Sequence, residues 1–66
     1  MQVTINGESR QLDDDSSIEQ MLEMSDLAGK RIAVEVNESI IPKSRHAQTR
    51  LHDGDKIEII HAIGGG

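Results

Sequence analysis

Apolar residues recur along this chain with two different periods, and the period changes at turn signals. In MQVTING, Met1, Val3 and Ile5 alternate with polar residues, which predicts a strand with one apolar face. Asn6-Gly7 follows. Both residue types tolerate positive φ, so the pair predicts a two-residue hairpin turn. ESRQL then reads as the returning strand, with Leu12 as its core candidate. Through DDDSSIEQMLEM the period lengthens. Ile18, Met21 and Leu22 fall at i, i+3 and i+4, one face of a helix. Two capping boxes are open, Ser16 with Glu19 and Ser17 with Gln20. Asp13 to Asp15 put negative charge at the positive end of the helix dipole, and Gly29 is the expected stop.

Strict alternation returns in RIAVEVN, with Ile32, Val34 and Val36 inward and Asn37 suited to a left-handed turn. SII is a short strand ended by Pro42, which has no N–H for a ladder. KSRHAQTR is polar and irregular, with room for one helical turn, and Leu51 is its anchor into the core. Asp53-Gly54 marks a turn. KIEIIHAI is the last strand, with Ile57 and Ile59 on one face.

The order is ββαββ-turn-β, which predicts an α+β fold: a small sheet with one helix packed on one face. If the last strand lies in the middle, beside the first, the chain leaves the sheet from a rigid element. Ile60 and Ala62 then face away from the helix, and Ile63 sits at the strand's end. An apolar strip on the open face of a one-sided sheet is a candidate docking surface for a partner.

Composition narrows the function. A chain of 66 residues makes one domain with a thin core and little room for an enclosed substrate pocket. Nine of its sixteen Leu, Ile and Val residues are Ile, a β-branched bias that favours strands. The net charge is −5 and there are no aromatic residues, so nothing attracts a phosphate backbone or stacks on a base. Nucleic acid is excluded as a partner, and a protein with a basic face fits better. No cysteine is present, which removes disulfides, thiolate metal sites and Cys nucleophiles. No apolar run approaches membrane-spanning length and the start lacks a signal pattern, so the expected location is the cytoplasm, away from membranes.

The candidate chemistry is sparse. His46, His52 and His61 share no metal-ligand spacing. The three aspartates lack a calcium-loop pattern and read as a solvated helix start. Ser16 and Ser17 are explained by capping. Lys43, Arg45 and Arg50 form a small basic patch in a solvated loop. No glycine-rich loop sits between a strand and a helix, so any ATP is bound by another protein.

Only the end of the chain remains. Gly64, Gly65 and Gly66 reach about 10 Å when extended, at roughly 3.3 Å per residue. A tail without Cβ atoms can thread a narrow channel. A carboxylate on Gly66 is ionised at neutral pH and a poor acyl donor. A mixed anhydride with AMP would supply the leaving group, and a sulfur nucleophile could then displace it.

These residues resemble a known family. The stretch RIAVEVNESIIPKSRHAQTRLHDGDKIEIIHAIGGG, with MQVTING at the start, is similar to the ThiS family of sulfur carriers in thiamine biosynthesis. The strand around Val34 to Asn37, IIPKS, LHDGDKIEII and the Gly-Gly end carry the likeness. It implies a ubiquitin-like β-grasp fold, with a mixed sheet of four to five strands, one main helix, a domain over residues 1–63 and a flexible tail over 64–66. It implies a carrier and not an enzyme, monomeric when free and holding no cofactor itself. Gly66 would be adenylated by an E1-like enzyme of ThiF type using ATP. The adenylate would become a thiocarboxylate, with sulfur from a cysteine desulfurase route, and a ThiG-type thiazole synthase would take that sulfur. Gly64 and Gly65 would give the tail its access. Glu38-Ser39 stands where the family often has a glycine after the Asn, so a more open turn is expected there. His46 stands where an aromatic residue is common.

Two other readings share these features. LHDGDKIEII and Gly-Gly also resemble the small subunit of molybdopterin synthase and the carriers of tRNA thiolation. A ubiquitin-like modifier or binding module would use the same sheet face.

Overall fold

The last strand takes the centre of the sheet. The structure, a computed structural model, describes residues 1–61. Its elements are β1 (Gln2–Ile5), β2 (Glu8–Gln11), α1 (Ile18–Met24), β3 (Ile32–Val36), β4 (Ser39–Ile41), a 3-10 turn (Lys43–Arg45) and β5 (Lys56–His61). The sheet order is β2-β1-β5-β3-β4. β5 runs parallel to β1 and antiparallel to β3, so the sheet is mixed. Five strands and one helix in this order are the β-grasp arrangement.

Strand alternation sorts the side chains. Val3, Val34, Ile57 and Ile59 are buried on one face. Ile18, Met21 and Leu22 of α1 close over them, with Leu12 and Leu51 completing the core. Burying each of these side chains contributes about 1.5–3 kcal/mol. Met1, Ile5, Ile32 and Val36 pack around this centre as expected, and Ile41 joins them.

The helix begins at Ser17, which settles the capping register. The Ser17 hydroxyl accepts from the Gln20 N–H at 3.1 Å, and the Gln20 side chain accepts from the Ser17 N–H at 2.9 Å. Ser16 instead turns its hydroxyl onto the Asp13 carbonyl. The loop after β4 supplies the remaining acceptors. Ile18 N–H donates to the Thr49 carbonyl and Glu19 N–H to the His46 carbonyl. Orphan donors of the first helical turn thus hold the 43–50 segment in place.

The helix stops earlier than the Gly29 signal suggests. Asp26, at φ 60°, takes the left-handed position after the Ser25 cap. Asp26 N–H donates to the Glu23 carbonyl and Leu27 N–H to the Leu22 carbonyl, a Schellman closure. Leu27 packs on the core beside it. Gly29, at φ 80°, belongs instead to the next turn, closed by Lys30 N–H on the Leu27 carbonyl.

The β3–β4 turn also differs from expectation. It is tight, not open: Val36 pairs with Ser39, and Asn37 and Glu38 take φ 51° and 72°. Both central residues are left-handed, as a type I′ turn requires. Strand pairing on either side holds Glu38 where glycine is favoured.

Candidate functional site

Gly64, Gly65 and Gly66, with Ala62 and Ile63, lie outside the described residues, as does the proposed division of the chain after residue 63. The strand that leads to them is described as far as His61, which pairs with Ile32. What the structure shows is therefore the root of the tail and the surfaces around it.

Two asparagines grip that root strand. Asn6 and Asn37 each open a two-residue hairpin turn, and each has φ 51°. At Asn37, the backbone N–H donates to the Lys56 carbonyl at 2.7 Å, and the side-chain Oδ1 accepts from Lys56 N–H at 2.9 Å. Its Nδ2 donates to Asp55 Oδ1, and Asp55 in turn accepts from His52 N–H. At Asn6, the backbone N–H donates to the Ile57 carbonyl at 2.9 Å. Its Oδ1 accepts from Ile59 N–H at 2.7 Å, and its Nδ2 donates to the Ile59 carbonyl at 3.2 Å. A left-handed turn swings the backbone carbonyl out of the ladder. In both turns the side-chain amide oxygen takes its place.

The open face of the sheet is apolar at the root end and acidic beside it. Ile60 is 51% exposed and faces Ala33, itself exposed, on β3. Ile40 on β4 is 69% exposed and pairs with Glu35. Glu35 in turn faces Glu58 on β5. Both glutamates are half-buried, and neither has an ion-pair partner among the described residues. Strand parity was enough to place Ile60 on this face. Ala33, Ile40, Glu35 and Glu58 were missed, because their meeting depends on the β3–β4 and β3–β5 registers.

The other sequence candidates do not converge on the root. His46 is buried, with Nε2 3.0 Å from the Ile41 carbonyl. A carbonyl can only accept, so Nε2 carries a proton there. His52 is exposed beside Asp55, and His61 ends β5. The basic patch divides: the Arg50 guanidinium donates to the Asp15 carbonyl at 2.7 Å. It lines a surface depression with Asp13, Asp14 and Asp15, whereas Lys43 lines another with His46 and Gly29. A depression of about 330 Å³ adjoins the root, lined by Asn6, Arg10, Leu27, Ile59 and His61 among others. No described helix is long and apolar enough to cross a membrane.

A family model described as the ThiS family matches residues 3–66. The chain belongs to the ThiS family. Among ThiS proteins, the sulfur carrier protein ThiS of Bacillus subtilis is 42% identical over 53 residues, which is 80% of each chain. The crystal structure of the thiamine biosynthesis protein ThiS from Geobacter metallireducens superposes with a TM-score of 0.86 at 26% identity, covering all of both chains. A thiazole synthase of Paramagnetospirillum magneticum is 42% identical across the whole of this chain. The chain spans only a fifth of that protein's length.

Proposed function

We propose that this chain is a sulfur carrier of thiamine biosynthesis, a co-substrate of partner enzymes and not itself a catalyst. An E1-like activating enzyme of ThiF type binds the open sheet face and takes the tail into its site. The Gly66 carboxylate attacks the α-phosphorus of ATP and pyrophosphate leaves, giving an acyl adenylate. The outer sulfur of a persulfide formed by a cysteine desulfurase then attacks the carbonyl carbon and AMP leaves, giving an acyl disulfide. A thiol reductant cleaves its S–S bond, releasing the thiocarboxylate and a disulfide. Thiazole synthase, of ThiG type, consumes that sulfur.

The observation that carries this reading is the extent of the family match, which runs through the glycines to Gly66. The central position of β5 supports it: the strand that leads to the tail lies between β1 and β3. The relative named thiazole synthase holds a stretch like this chain within its own polypeptide, which supports that enzyme as a partner. Ile60, Ala62 and Ile63 are the docking residues, with Ile60 already exposed on the open face. The acidic net charge and the glutamates beside Ile60 suit a basic partner surface.

A gene deletion tests the pathway. The expected strain grows only when the thiazole moiety or thiamine is supplied. A strain that needs no thiazole but loses molybdoenzyme activity would place the carrier in the other pathway.

A further inference from the structure

We infer that Asn6 is a positioning residue for the tail, an inference that rests on the carrier reading above. β1 ends at Ile5, yet β5 continues to His61. Without a substitute, the β1 side of β5 would be unpaired from Ile59 onward. The Asn6 amide fills that gap. Its oxygen accepts from the Ile59 N–H, where a continued parallel ladder would have placed the backbone carbonyl, and its nitrogen donates to the Ile59 carbonyl.

Ile59 is buried, and without the Asn6 amide its N–H loses its protein acceptor. Ile59 lies two residues before His61, where the described strand ends. The Asn6 clamp therefore holds β5 close to the last described residue before the tail. Holding the strand fixed there lowers the ordering cost of docking. Asn37 makes the matching clamp at Lys56, the opposite end of the same strand. That clamp supports the strand but not its exit, which makes Asn37 an internal control.

The test uses the full chain with its activating enzyme and follows ATP–pyrophosphate exchange against carrier concentration. Asn6→Gly keeps the left-handed turn and removes the amide. Exchange of the Ile59 amide hydrogen, read by NMR without any partner, should speed up by about tenfold. KM for the carrier should rise roughly three- to tenfold with kcat unchanged. Asn6→Asp, which keeps the acceptor and loses the donor, should fall between. Asn37→Gly should lower stability and leave KM alone. An Asn6→Gly chain with KM within twofold of wild type overturns the inference, as does Asn37→Gly raising KM equally. Unchanged Ile59 exchange in Asn6→Gly overturns it without reference to any enzyme. Absence of exchange activity with the wild-type chain would overturn the carrier reading itself, and this inference with it.

Discussion

Glu35 and Glu58 face each other across β3 and β5 on the open side of the sheet, and neither forms an ion pair among the described residues. Like charges directly opposite one another destabilise a sheet. Replacing both by Gln should therefore stabilise the chain, by about 0.2–1 kcal/mol, while weakening its complex with a basic partner. Urea midpoints and partner titrations at low and moderate salt read the two effects. A lower midpoint would show that the carboxylates support the fold.

Ile60 offers a complementary probe because it is half-exposed and pairs with Ala33 across the strands. Ile60→Asp should change stability by no more than about 0.5 kcal/mol. If Ile60 anchors the complex, it should weaken binding by about 2 kcal/mol or more. Calorimetric titration against the activating enzyme and the thiazole synthase measures this. Equal affinities for wild type and variant with both enzymes would remove Ile60 from the interface.

Glu38 holds φ 72° in the β3–β4 turn, a conformation that costs a non-glycine residue about 1–2 kcal/mol. Glycine adopts it freely but loses more entropy on folding, so the two effects partly cancel. Glu38→Gly should still raise stability by about 0.5–1 kcal/mol, or roughly 4 °C in Tm for a domain of this size. Thermal unfolding followed by circular dichroism gives the sign directly. A drop in Tm would mean that the Glu38 side chain makes a stabilising contact.

Much of the fold was legible from periodicity. Val3, Val34 and Ile57 mark one sheet face by alternation, and Ile18, Met21 and Leu22 mark a helix face by spacing. All six are in the core. Asn6-Gly7 named its own turn. The helix stop misled because Gly29 carries the stronger local signal, whereas Asp26 took the left-handed position through Schellman hydrogen bonds to the Glu23 and Leu22 carbonyls, with Leu27 packed on the core. The Glu38 turn misled because strand pairing overrode the residue's own preference. At the candidate site, Ile60 followed from parity alone. The Glu35–Glu58 pair needed the β3–β5 register. The Asn6 clamp joins residues 53 positions apart, a closeness no local pattern encodes.

Intact-mass spectrometry of the chain tests sulfur carriage most directly. The wild-type chain is incubated with ATP, its activating enzyme, a cysteine desulfurase, cysteine and a thiol reductant. The mass should rise by the difference between one sulfur and one oxygen, with the change located on Gly66. The same chain lacking Gly66 should stay folded and show no change. Sulfur loading that survives deletion of both Gly65 and Gly66, or products consisting only of lysine-linked conjugates, would contradict the sulfur-carrier function.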